Sequence, residues 1–404
     1  MRFRKLNIAK TCFHSGLRRF LKDDGHTGMD LESSAKKMSP LSKNIKLLII
    51  AIGFFISAQG QDSTKTAPKA DSVLPSPPPT FTGSLDLYYR YNFANPKAAP
   101  WNNYTSFTGS QNSFELGMAD IKYDHSWGKA GATVELGFGR RAQDFSYNDG
   151  TTNPYFSLSN VVQAYVYYNL SSKVKLTAGK WGTHIGYEVV DAYLNRNYSM
   201  SYMFSYGPFF NTGLKADIAL AGKTAIMVGI SNSTDHSTVN NYSYQSFIAQ
   251  LSTATPDSKW KFYLNYQGGP IAPGTTLNQF DLVATGTITD KFSLGFNATD
   301  QMISAATNGS FWGAAIYLNA DPSPVFGLTL RAEYFSDKDS TISTSVLPAG
   351  NYMEYTLTGQ LHLGKLTFMP ELRFDNSSVN SFLKSDATGT TSTFSAILAA
   401  TYIF

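Results

Sequence analysis

Four histidines lie beyond residue 60: His125, His184, His236 and His362. A serine hydrolase needs such a base beside a serine and oriented by a third group. Only His362 stands on the polar face of a clearly alternating segment, near Glu354 and Gln360. Nothing there singles out a nucleophile, and an ordinary polar-face histidine accounts for it. Zinc chemistry needs spacings such as H-E-x-x-H or clustered cysteines. The chain has one cysteine, Cys12, and no such spacing. No Gly-rich loop opens a helix, so no nucleotide site is expected, and no cofactor or metal is expected either.

The residues that remain are charges in an alternating setting. Asp86, Arg90, Glu135, Lys215, Asp217, Lys261, Asp281, Arg331, Glu333, Glu354, Glu371, Arg373 and Asp375 all sit on polar faces. On a soluble protein they would be a solvated face. Lining a water-filled lumen, they would set a field that tunes which solutes pass. Both signs occur in similar number, so no strong ion selectivity follows.

The elements that position them alternate with period two. In GSLDLYYRYNF, Leu85, Leu87, Tyr89, Tyr91 and Phe93 share one face. Ser84, Asp86, Tyr88, Arg90 and Asn92 share the other. About sixteen such segments occur: 81–93, 113–125, 130–140, 159–170, 173–182, 210–220, 223–232, 243–254, 258–267, 277–289, 291–301, 308–320, 326–336, 351–363, 365–376 and 392–404. Most are near the nine to eleven residues that a tilted strand needs to cross a bilayer. The second, SFELGMADIKYDH, changes phase midway, which marks a bulge or a misplaced boundary.

The links alternate as well. SWGK, SSK, AGK, TDK, DPSP and GK are short. Segments 94–112, 141–158, 183–209, 233–242, 268–276, 302–307, 337–350 and 377–391 are long. A soluble sandwich has no reason for this rule, and its polar faces would be richer in charge than the 15% found here. A transmembrane antiparallel β-barrel explains both, with short periplasmic turns and long external loops. It also explains why apolar faces end in Tyr, Trp or Phe. The last segment closes on Phe404, as the signal read by barrel-assembly machinery does.

The N-terminal region fits export. Lys43 and Lys46 precede an apolar run from Leu47 to Ile56, then Ala58 and Gly60. This reads as a secretory signal peptide over 38–60, too short for a membrane helix. Residues 1–37 are an over-long N-terminus or an extended n-region, and 61–80 a Pro-rich linker. Residues 1–60 hold 11 of the 33 Lys/Arg and 4 of the 29 Asp/Glu, leaving 22 against 25 and a net charge of −3. The basic precursor is therefore no sign of nucleic-acid binding. Cys12 leaves with the leader, so no disulfide is expected.

One stretch breaks the pattern. TAGKWGTHIGYEVV and NRNYSMSYMFSYGPFFNTGLKA frame a long segment rich in aromatic residues. With its GK, GYE, NYS, YGP and TG elements it resembles the OmpL-like family of β-barrel porins. The resemblance extends over most of 81–404 and implies an outer-membrane pore in a Gram-negative envelope. It implies no particular substrate.

The expectation is a passive diffusion channel for small hydrophilic solutes, seated in outer-membrane lipid. A barrel hydrolase using His362 or Ser395, and an adhesive barrel whose loops bind a partner, are the rival readings. Self-association into a homo-oligomer is expected of such barrels in general, with no residue here to carry it. Segment 183–209 either caps the outer rim or folds into the lumen. Low charge and many rings favour the lumen, where irregular backbone is tolerated beside water. Glu188, Asp191 and Arg196 would then face the opening.

Overall fold

The computed structural model describes residues 77–149, 158–240, 242–339 and 347–404. The expected leader and most of the expected linker lie outside these residues. Sixteen antiparallel strands close into one barrel. They are β1 (Thr80–Asn92), β2 (Ser113–Trp127), β3 (Ala130–Phe138), β4 (Val161–Asn169), β5 (Val174–Gly182), β6 (Phe210–Ala219), β7 (Ala225–Asn232) and β8 (Gln245–Ala254). The second half is β9 (Trp260–Ala272), β10 (Thr275–Thr289), β11 (Phe292–Ser304), β12 (Gly309–Ser323), β13 (Phe326–Asp337), β14 (Gly350–Leu363), β15 (Leu366–Ser377) and β18 (Ser392–Ile403). Each strand pairs with its sequence neighbour in the barrel, and β18 pairs with β1. A two-stranded hairpin, β16 (Phe382–Leu383) and β17 (Gly389–Thr390), sits in the last long loop.

Closure is chemical as well as geometric. Ser84 faces Ile403 and Asn92 faces Ser395 along the seam. Gly83 and Phe404 exchange two backbone hydrogen bonds at its end. No strand edge is left open to lipid, which an open sheet could not achieve. Among the described residues no helix is long and apolar enough to cross a membrane.

Burial is inverted relative to a soluble protein. Leu87, Leu357 and Leu372 are more than 40% exposed, while Asp86, Glu135, Gln267 and Thr356 are buried. Outward apolar and inward polar is the order a lipid solvent selects. Exposed rings collect at both rims: Phe81, Trp127, Phe292 and Phe404 at the short-turn end, Phe93, Phe114, Phe138 and Trp312 at the other. Rings of this amphipathic kind favour the two interfaces.

The phase change in β2 is a bulge. Asp86 pairs with Met118 and Leu87 with Leu116, leaving Gly117 as the extra residue. A Cβ there would collide with the Asp86 carboxylate, so glycine lets that side chain fold across. The Met118 N–H then donates to Asp86 at 2.8 Å. After the bulge, Asp120 and Lys122 point inward.

The strict long–short rule of the links breaks at two places: the expected long link 302–307 shrinks to the four residues 305–308 between β11 and β12, and the second break lies between β9 and β10. Residues 268–276 are not a long loop, because β9 and β10 extend to a turn at Pro273–Gly274, where Gly274 has φ 68°. Strand pairing continues as far as Thr275 with Ala272. Gly-Gly and Pro at 268–270 look like loop residues, but the pairing partner supplies the order.

Candidate functional site

Residues 183–209 leave β5 and return at β6, and their course is set by the inner wall. They carry one 3₁₀ turn, Ala192–Leu194, and one short helix, α2 (Tyr202–Tyr206). The Ser201 side chain caps α2 by accepting from the Phe204 N–H. Asn195 clasps Val189 through its N–H and its carbonyl, at 3.0 and 2.7 Å. The remaining backbone groups need partners, since irregular backbone offers none of its own.

Carboxylates of the wall supply them. Glu371 on β15 accepts from the N–H groups of Tyr198 and Ser199, at 2.7 and 3.1 Å. Glu333 on β13 accepts from Tyr202 and Met203, each at 2.7 Å. Asp235, in the loop after β7, accepts from Phe209 and Phe210, at 2.7 and 3.0 Å. Asp281 on β10 takes the Gly186 N–H at 3.0 Å. Three successive pairs of N–H groups are thus each held by one carboxylate. Charge-assisted bonds of this kind are stronger than neutral ones.

Arginines hold the carbonyl side. Arg331 on β13 donates to the Ser199 carbonyl at 2.7 Å and to Glu188 at 2.5 Å. The same guanidinium forks onto Glu354 of β14, at 2.9 and 3.1 Å. Arg331 and Glu354 are both 0% exposed. Arg373 donates to the Met200 carbonyl at 2.7 Å and pairs with Asp375, which also accepts from the Tyr202 hydroxyl. Tyr187 stacks on Tyr317 with ring centroids 4.1 Å apart. From the opposite side comes α1 (Arg140–Phe145), whose Arg141 donates to the Val190 carbonyl. Arg141 also lies 3.6 Å from Asp86 and covers the rings of Phe107 and Tyr198.

The charges singled out from the sequence separate into three groups. Asp86, Arg331, Glu333, Glu354, Glu371 and Arg373 are buried where they hold the inserted segment or its supports. Arg90 is buried too, donating to the carbonyls of Trp101, Asn102 and Ser110 in the first external loop. Asp281 and Asp375 are buried with them, taking the Gly186 N–H and the Tyr202 hydroxyl. These nine were expected to line open water; here they face protein, because covering segments take the place of water. Glu135, Lys215 and Asp217 belong to the wall on the other side of the lumen, with Lys215 3.9 Å from Asp217. Lys261 stands exposed at the start of β9, at the short-turn rim.

The three loop residues expected to face the opening divide likewise. Glu188 is turned into the wall, its oxygens taken by Arg331 and Ser201. Arg196 spans to Asp321 at 2.5 Å and Thr329 at 2.9 Å, its side chain partly exposed. Asp191 borders the space left beside the segment. Burial pushes the Asp191 carboxyl above the usual range, against the pull of Lys122 and Arg141. That space is a cavity of about 350 Å³, walled by β2, β4, β5 and β6 and by residues 188–194.

Sequence reasoning passed over Lys122, Arg141, Lys175, Trp181 and Asp235. Moving the β2 register by one at Gly117 would have turned Lys122 inward. Arg141 and Asp235 sit in long links, where no period marks them. The His184 Nε2–H donates to the Tyr266 carbonyl at 3.0 Å, and burial holds its imidazole down at about 4, uncharged at neutral pH.

Asp235 gives a pH signature. Burial raises its carboxyl from 3.8 to about 7, against the two N–H groups that favour the charged form. Its folded pKa exceeds its unfolded one, so its stabilising contribution is full below about pH 4 and is lost as pH rises through 7. Asp235→Asn keeps an acceptor oxygen and removes the titration. In urea unfolding series from pH 4 to 8, the variant should gain on the wild type as pH rises; a constant difference would contradict the assignment.

A barrel that is apolar outside and charged within is built to pass solutes through an outer membrane, and that is the architecture of the porins. The chain belongs to the family described as "putative beta-barrel porin-2, OmpL-like", whose model matches residues 78–404. Its place is accordingly the Gram-negative outer membrane. No curated protein matches the sequence significantly. Solved structures share the fold. The outer-membrane channel DcaP of Acinetobacter baumannii superposes with a TM-score of 0.56 at 12% identity, covering 81% of this chain and 97% of that one. An anion-selective porin from Comamonas acidovorans gives 0.55 at 11% identity, covering 81% and 99%. OmpT of Vibrio cholerae gives 0.53 at 11% identity, covering 83% and 100%.

Proposed function

We propose that this porin is a passive diffusion channel for small hydrophilic solutes, and that residues 183–209 narrow its lumen. The chain would be exported through a cleaved leader at 38–60 and inserted into outer-membrane lipid by the barrel-assembly machinery. The observation that supports this reading is the run of hydrogen bonds from 186–203 to the inner faces of β10, β13 and β15. It commits one side of the lumen to protein and leaves the water path to the other. Barrels of sixteen to eighteen strands are wide enough for an aqueous path even so. Assembly into a homo-oligomer is part of the proposal, since a trimer form of Vibrio cholerae OmpT is among the matched folds.

Folded protein in a planar bilayer should give stepwise conductance in KCl. Folding is checked by heat-modifiable gel migration. Folded protein that inserts without conducting would end the pore reading.

A further inference from the structure

The cavity beside the inserted segment has a chemistry of its own. Its floor on β5 and β6 presents two ammonium groups, Lys175 and Lys215. They share a single carboxylate, Asp217, at 3.4 and 3.9 Å. One positive charge is therefore in excess at that spot. The Lys215 ammonium also stands 5.3 Å from the Trp181 ring centroid, which holds it over an apolar face.

The other charges around the cavity are already engaged. Lys122 is paired with Glu135 at 3.7 Å. Glu188 reaches the cavity with its stem but gives both oxygens to the far side. Asp191 faces the Lys122–Glu135 end, away from the lysine pair on β5 and β6. Apolar and aromatic groups, among them Tyr165, Val189, Val190 and Leu194, share the remaining wall with the neutral polar side chains of Gln163, Thr177 and Thr183. At about 350 Å³ the space lies within the range of small-molecule sites, roughly 300–1,000 Å³.

We propose that this cavity is a binding station for small solutes that carry one carboxylate on an apolar body. The carboxylate displaces nothing: it takes up the surplus charge of Lys175 and Lys215, which Asp217 leaves half-answered. The apolar body lies against Val189, Leu194 and the rings of Tyr165 and Trp181. A cationic solute meets the excess charge as a barrier, and a neutral one gains only the apolar contact. The proposal rests on the reading of the chain as an open pore.

The test is block of single-channel KCl current by three probes with one skeleton: 3-phenylpropionate, 3-phenylpropionamide and 3-phenylpropylammonium. The carboxylate should half-block at a concentration at least about threefold below that of the amide, with the ammonium weakest. The Lys175→Gln/Lys215→Gln double variant should bring carboxylate and amide together. Lys173→Gln, exposed on the short turn before β5, should leave the order unchanged. Equal block by carboxylate and amide in a conducting wild type, or strongest block by the ammonium, overturns the station and leaves the pore. Folded wild type without conductance overturns both.

Discussion

Arg331→Met should cost the folded barrel about 3–5 kcal/mol, the largest loss expected from any single substitution here. Arg331 is 0% exposed, and its fork reaches Glu188, Glu354 and the Ser199 carbonyl. Methionine fills much of the same volume, so packing changes little. What changes is charge: Glu188 and Glu354 remain buried without their cation, and an uncompensated buried charge is costly. Arg331→Lys should fall between, because one ammonium cannot fork onto Glu354 while also reaching Glu188. Adding Glu354→Gln to Arg331→Met should restore part of the loss, since the orphaned charge is then removed. Urea unfolding in phospholipid reads the stability. The same variant should give noisier open-channel current, because residues 188–199 lose their central tether. A loss under about 0.5 kcal/mol, the size of an exposed pair, would show that Arg331 is hydrated and the segment is not seated on it.

Most of the barrel was legible because its signal is local. Period-two alternation needs only neighbouring residues, and each of the sixteen strands lies on a segment marked by it. The link after β9 was misread because Gly-Gly and Pro carry a local turn signal, whereas the pairing that overrides it comes from β10. Lys122 was lost for a related reason: a single extra residue, Gly117, reverses every later side chain on β2. The site was legible to a smaller depth. Alternation says that Glu333, Glu371 and Arg373 point inward; it says nothing about what covers them. Their partners lie more than 100 residues away in sequence, as with Glu371 and Tyr198 or Arg331 and Glu188. The composition of 183–209 held the one clue. A segment with nine rings between Lys180 and Gly213 needs a wall to bury them, and the wall needs carboxylates for its backbone.

Replacing residues 187–206 by a short Gly-Ser bridge should raise single-channel conductance at least about twofold, since the segment no longer occupies the lumen. The gain separates the two placements of the segment, because a cap on the outer rim would leave the lumen's narrowest section as it was. Conductance alone does not show that the segment is seated on the buried charges, however. The second arm does. Without the segment, Arg331, Glu354, Glu371 and Arg373 face water, and hydration replaces the contacts they lose. Arg331→Met in the bridged barrel should then cost no more than about 1 kcal/mol, the value of a solvated pair. In the full chain the same change costs several times more. The difference between the two costs is the coupling between the segment and its arginine, measured as a double-mutant cycle. If both costs are equal, the buried setting of Arg331 does not come from residues 187–206. If conductance rises but the coupling is absent, the segment narrows the pore without being anchored through this residue, and Glu333 and Glu371 become the groups that hold it.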